Sequence, residues 1–262
     1  MQSLVAILFG PRDGTRDYGP LLKWILVMTL IVAGVIALWF FGFVEETLDT
    51  DRTRISMVIL AIFAATSFHC MFQTISVSRE LISARKAREA IERSGGRKVT
   101  VIDDRVVTAG GDTLEPGIMA THIRDLVSKA RTLGQHHLDQ TLLLRSLADQ
   151  LRSREKLGLF VSESLLRLAL LGTAVGFILM LIPISELDSF EVTNLRQTLT
   201  GMSEGMSIAL TVTVTGIATA LLLKFQYYLL DEGIADLFRM VTETTEVYVV
   251  PTLEPALDAT GN

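Results

Sequence analysis

The chain has 262 residues, is 49% hydrophobic with a mean hydropathy of +0.42, and still carries 20% charged residues at a net charge of −5. The apolar residues come in blocks: 21 consecutive uncharged positions at 24–44, 24 at 55–78, 18 at 168–185 and 19 at 205–223. Each approaches the roughly 20 residues that cross a ~30 Å hydrocarbon layer, which excludes an ordinary soluble domain; six prolines and a single cysteine also exclude extensive disorder and an internal disulfide framework.

In chain order, Met1 to Gly10 is apolar but lacks a basic start and a small-residue cleavage site, so it reads as a surface segment. Pro11, Gly14, Gly19 and Pro20 punctuate the approach to a first span from Leu21 to Val44, with Trp24 and Trp39 near its ends. The second span, Ile55 to Ser76, runs without Gly or Pro into Arg79–Arg93, so its helix is expected to continue to Gly95-Gly96. Lys98–Thr108 is rich in β-branched residues and is followed by Gly110-Gly111-Asp112, which predicts a small hairpin. From Gly117 on, Ile123, Leu126, Val127, Ala130 and Leu133 recur at helical spacing. A further helix, Leu138 to Leu151, is expected to merge with the third span, which begins near Leu159 and stops at Pro183. The fourth span runs from Gly205 to Leu230, and the acidic tail starts helical and loosens after Pro251.

These elements predict an all-α membrane protein with four transmembrane helices and a mostly helical cytoplasmic domain between the second and third. The expected divisions are a surface segment (1–20), helices one and two (21–76), a cytoplasmic domain (77–158), helices three and four (159–230) and a tail (231–262). Charge sets the orientation. Arg79 to Lys156 holds 15 Lys/Arg against 11 Asp/Glu, whereas 45–54 and 184–204 together hold three Lys/Arg against eight acids. The positive-inside rule therefore places both termini and the middle segment in the cytoplasm. Acids such as Glu80, Glu89 and Glu92 are interleaved with the bases, so no nucleic-acid partner is expected.

Spans one and two are apolar nearly all round and read as lipid-facing anchors. His69 is the titratable group that stands out there, for interfacial packing or, alternatively, a proton relay. Span four differs: Ser207, Thr211, Thr215 and Thr219 form one stripe at intervals of four, and Thr213 points to the opposite side. Two hydroxyl-bearing faces imply that at least one packs on helices or lines a polar path, unless each hydroxyl bonds only its own backbone. In span three, Gly172 and Gly176 form a small-xxx-small pair around Thr173. Thr173 lies ~15 Å inward of Pro183 and Thr213 ~12 Å inward of Gly205, so their hydroxyls are expected at similar depth on adjacent helices.

Leu171-Gly172-Thr173-Ala174-Val175-Gly176 and Gly205-Met206-Ser207-Ile208-Ala209-Leu210-Thr211-Val212-Thr213-Val214-Thr215-Gly216 resemble the last two spans of the MotA/TolQ/ExbB proton channel family. The two-span start looks more like MotA than the three-span TolQ and ExbB. Three positions depart from TolQ and ExbB: Ile208 stands for a Glu, Leu222 for a Pro, and Gln226-Tyr227 for a Tyr-Asn pair. The resemblance implies a channel-forming subunit of an ion-driven motor in a bacterial cytoplasmic membrane. It also implies a homopentamer around two copies of a MotB/TolR/ExbD-like single-span partner carrying an Asp. Thr173 and Thr213, with Thr211 and Thr215, would line the channel, and Gly172, Gly176 and Gly216 would pack its helices.

The residues support a partner independently. None of the four uncharged blocks contains Asp or Glu, and a Thr hydroxyl orients water or an ion but does not exchange protons. If protons are conducted, the titrating carboxylate comes from another chain. The conducted ion is H+ or Na+. Glu163 and Arg167, four apart at the inner end of span three, are either an intrahelical pair or an inner gate. Arg85, Lys86, Arg88, Glu89 and Glu92 form a charged helix face or, in a flagellar stator, a rotor contact. His136-His137 lacks further ligands at metal spacing, and no nucleophile–base pair or phosphate loop appears, so neither a metal, a cofactor nor an enzymatic activity is expected. The competing reading is a non-conducting membrane scaffold that uses its Gly and Thr faces for packing; within the motor class, flagellar and TonB/Tol-like tasks both fit.

Overall fold

The computed structural model describes residues 19–40, 42, 54–94, 99–102, 105–108, 111–133, 138–185 and 192–253. In order these form α1 (Gly19–Phe40), α2 (Ile55–Arg93), β1 (Thr100–Ile102), β2 (Arg105–Val107), α3 (Ile118–Leu133), α4 (Thr141–Ser185) and α5 (Val192–Thr244). A π-helical turn (Thr245–Val249) and a short α6 (Val250–Leu253) complete the order. The protein is a helical membrane protein: α2, α4 and the stretch Asn194–Leu253 are each long and apolar enough to cross a bilayer, and α1 contributes a shorter apolar helix, Leu22–Ala37.

Several boundaries differ from those expected. α1 ends at Phe40 rather than near Val44, because Gly42 adopts a left-handed φ of +77° and its N–H donates to the Trp39 carbonyl at 2.9 Å. Val44 lies outside the described residues. The expected outer loop 184–204 is helical from Val192, and α4 passes Pro183 to end at Ser185. Val192, Leu195, Leu199 and Met202 keep the helical period after the hydropathy falls; hydropathy marks the thickness of lipid, not the end of a helix. α4 starts at Thr141, where Asp139 Oδ1 accepts the Thr141 N–H at 2.8 Å and its hydroxyl at 2.5 Å.

The described residues fall into two compact units. A charged one lies within Met1–Lys23, Gln73–Glu155 and Leu230–Asn262, and an apolar one within Trp24–Phe72 and Lys156–Leu229.

The charged unit has a core of large aliphatic side chains. Val77, Leu81, Ala84 and Ile91 from α2, Ile123, Leu126 and Val127 from α3, Leu147 and Leu151 from α4, and Ile234, Leu237 and Val241 from α5 are buried. On each helix they sit three, four or seven residues apart, the spacing that keeps one face inward. β1 and β2 pair antiparallel with Thr100 opposite Val107 and Ile102 opposite Arg105, and both pack on α3. After them, Gly111 at φ +87° donates to the Thr108 carbonyl at 2.9 Å, a turn that needs glycine. Glu80 of α2 accepts the Ile118 N–H at 2.9 Å, placing a carboxylate on the unsatisfied start of α3. The charged face of α2 is paired: Lys86 with Glu115 at 3.0 Å, Arg93 with Glu89 at 3.4 Å, and Arg88 with Glu92 at 2.8 Å and Glu243 at 3.4 Å. The Glu92 hydrogen bond and the two carboxylates push the Arg88 guanidinium above its already high value.

In the apolar unit α1 buries Trp24 and Val27 and leaves Leu30, Ile36 and Trp39 exposed, which fits a helix whose other faces meet lipid. α2 is different, and here the anchor reading is corrected. Met57, Val58, Phe68 and Phe72 are exposed, but Ser56, Ile59, Thr66, Ser67 and Cys70 are buried along one face. Small polar groups along such a face allow close packing, and they escape notice where mean hydropathy stays high.

Candidate functional site

The apolar unit is organised by α4 and α5 (Lys156 to Ser185 and Val192 to Leu229), which run antiparallel at very short range. Glycine makes the approach possible from both sides. A Cβ on Gly176 would lie 2.7 Å from the Ala209 backbone, one on Gly205 2.5 Å from Met180 N, and one on Gly201 2.7 Å from Pro183. Cβ atoms on Gly172 and Gly216 would overlap Val212 Cγ1 and Ala169 Cβ. Each step of three or four residues down α4 is matched by a step of three or four up α5. The same rows continue through Leu165 and Ala169 on one helix and Val212 and Leu223 on the other, all buried. Gly172, Gly176 and Gly216 therefore pack helices, and Gly201 and Gly205, not singled out in the sequence, do the same.

Within this seam the Thr173 and Thr213 hydroxyls meet at 2.5 Å. Each also lies within bonding distance of its own preceding turn, Thr173 of the Ala169 carbonyl at 3.0 Å and Thr213 of the Ala209 carbonyl at 2.8 Å. Two hydroxyls carry two protons, yet three oxygen–oxygen contacts need one each. Either Thr173 donates to Thr213, which donates to Ala209, or Thr213 donates to Thr173, which donates to Ala169. In both states one contact lacks a proton. The two hydroxyl oxygens therefore keep free lone pairs that an incoming donor or cation can engage. Both threonines are only partly buried, so the pair remains reachable.

The other hydroxyls of α5 divide by face. Thr219 is buried and donates to the Thr215 carbonyl at 2.8 Å, the self-bonded arrangement common in apolar helices. Thr211 and Thr215 are half-exposed and Ser207 exposed, away from the α4 seam, so the structure does not bring them to the Thr173–Thr213 pair. Ile208, at the position of the TolQ and ExbB Glu, is buried and apolar. Glu163 and Arg167 form an exposed pair on α4, 3.5 Å apart, with side chains 68% and 74% exposed; screening by solvent leaves such a pair weak.

A second polar cluster joins α2 to α5. The Ser67 hydroxyl donates to Gln226 Oε1 at 2.7 Å, and His69 Nδ1 lies 3.0 Å from the Tyr227 hydroxyl. Tyr227 is almost fully buried, and its ring occupies the space that a Cβ on Gly158 would need. Gly158 is thus a notch in a continuous α4, not a helix breaker. His69 lies in a packing contact on the helix, and Gln226-Tyr227 supplies its partner. This cluster was invisible in the sequence because its members are 158 and 159 residues apart. Among the described residues no group of three or more His, Cys, Asp or Glu side chains is placed to hold a metal. His136-His137 lies outside the described residues.

No curated protein and no solved structure matches the chain significantly. Residues 114–243 match the model of the MotA/TolQ/ExbB proton channel family, a longer stretch than the two spans that carry the motifs. Both threonines of the hydroxyl pair and every close-packed glycine of the seam fall inside it, so the stretch recognised as MotA/TolQ/ExbB proton channel family is the one that builds the site.

Proposed function

We propose that this chain is the channel-forming subunit of a proton-driven membrane motor, a homopentamer enclosing two copies of a single-span partner whose helix carries an Asp. It crosses a bacterial cytoplasmic membrane four times, with both termini in the cytoplasm. The observation that carries this reading is the Thr173–Thr213 pair, one proton short of its contacts and set in a segment without an acid. A carboxylic acid arriving in its protonated form can donate to a free lone pair of either hydroxyl oxygen. Once it ionises, its hold on the pair changes, because an anion then has to draw a hydroxyl away from its carbonyl. The pair thereby distinguishes the two protonation states of a group that the chain's own apolar blocks lack. Each proton crossing 100 mV releases ~2.3 kcal/mol, the energy available for work. The family match supports proton transport, while the charge asymmetry between the loops supports the orientation.

Thr173→Val and Thr213→Val test this in membranes containing the full chain and its partner, identified as a neighbouring reading frame with one N-terminal span containing an Asp. Hydrogen bonds to charged groups contribute about 1.5–3 kcal/mol, so proton flux is expected to fall by about 10- to 100-fold in each variant. Assembly should persist. Unchanged flux in fully assembled variants would leave the seam as packing alone and favour the scaffold reading.

A further inference from the structure

The charged unit buries a histidine in a polar chain that reaches the end of the described molecule. His122 on α3 is 4% exposed and Gln140, just before α4, is 4% exposed. His122 Nε2 lies 3.4 Å from Gln140 Oε1, and Gln140 Nε2 donates to Glu246 Oε2. Glu246 sits in the π-helical turn Thr245–Val249, where the Val250 N–H returns to the Thr245 carbonyl. That wider turn shifts the phase of the helix beyond it. Val250 then packs on Leu126 and Leu138, with Ala130, Leu143 and Leu253 around them. One polar chain and one small apolar cluster thus hold the C-terminal segment against α3 and the approach to α4.

The polarity of the chain fixes the tautomer. Glu246 accepts from the Gln140 amide, so Gln140 Oε1 is left to accept from His122 Nε2–H, and Nδ1 carries the lone pair. Among the described residues, the charges near His122 are Asp125 on its own helix and Glu246 beyond Gln140. Burial holds His122 below its ordinary value of 6.5 despite the opposing effects of Gln140 and Asp125. We infer that Thr245–Leu253 is a pH-sensitive latch, closed over neutral His122 and released when acidification of the surrounding compartment puts a second proton on that ring. The sign comes from burial and linkage: while Glu246 holds Gln140 against it, His122 is enclosed and kept neutral, so closure is strongest above pH 6.5 and weakens as pH falls below it. This goes beyond the channel reading and does not depend on it, since it concerns the charged unit alone.

Amide hydrogen exchange of residues 245–253 in the full-length protein in detergent, at pH 7.5 and 5.5 and corrected for intrinsic rates, tests the latch. In the wild type, opening is expected to increase about 3- to 10-fold at the lower pH. His122→Gln, which keeps a donor but does not titrate, should abolish that dependence. A second variant, Gln140→Leu, keeps His122 and cuts the chain; the segment should then be open at both pH values while α3 stays protected. A pH-independent wild type, equal acceleration in His122→Gln, or an undisturbed segment in Gln140→Leu would each overturn the inference. None of these readouts involves proton flux, so the latch and the channel fail or stand separately.

Discussion

In the apolar unit α4 and α5 meet through Gly172, Gly176, Gly205 and Gly216, with the Thr173–Thr213 contact between them. The charged unit is filled instead by Leu81, Ile91, Ile123, Leu126, Leu151 and Leu237, and its polar contacts lie mostly on the outside or in short capping bonds. The solvent explains the difference. Where water surrounds a unit, burying large aliphatic groups drives association at roughly 25 cal/mol per Å². Lipid gives no such gain, because its chains are as apolar as leucine, so helices there gain from close backbone contact and from hydroxyls in contact.

The comparison is broken most strongly by filling the seam. Gly176→Ala would press a methyl group on the backbone of Ala209, which cannot move aside, whereas Gly172→Ala meets side chains, chiefly that of Val212. Overpacking of this kind costs about 1–3 kcal/mol. Thermal unfolding in detergent should show Gly176→Ala as the worse variant, and Val212→Ala should rescue Gly172→Ala but not Gly176→Ala. Equal losses, or no rescue, would mean that the seam yields more than its contacts suggest.

A smaller effect sharpens the charged side. Burial and the hydrogen-bonded Asp231 carboxyl push Glu155 up to about 7. The folded unit therefore holds a proton that the unfolded chain releases near 4.5, so the stabilisation is complete below that value and lost as pH rises through 7. Glu155→Gln should flatten the stability profile between pH 5 and 8 and make the variant the more stable form at the upper end. Glu155 is only half-buried, and screening by solvent keeps the effect modest. A variant profile parallel to that of the wild type would exclude the shared proton. The smallest effect is expected at Glu163 and Arg167: either Glu163→Gln or Arg167→Gln should change stability by less than ~1 kcal/mol. A large loss of ion flux with unchanged stability would instead assign this pair to a gate.

How much the sequence disclosed varied in the same way. Thr173 and Thr213 were placed at one depth from their distances to Pro183 and Gly205, because helix rise is constant; the structure brings their hydroxyls into contact. The α3 face and the small hairpin emerged from local periodicity and β-branched residues, which act over a few positions. The buried polar face of α2 did not emerge, since Ser67 and His69 acquire meaning only opposite Gln226 and Tyr227. Nor did the role of Gly158 emerge, since it depends on the Tyr227 ring that occupies the place of its missing side chain. Local rules reached what depends on neighbours in the chain, and distant partners supplied the rest.

The glycine notches of α4 and α5 have a mechanical consequence. Each notch is filled by one particular residue of the other helix, so a slip by a single position would drive side chains into backbone along the whole contact. The hairpin thus has one register and moves as a single stiff body. Motion that accompanies proton passage would take place around this body, at its outer faces, and the paired hydroxyls would travel with it at a constant separation.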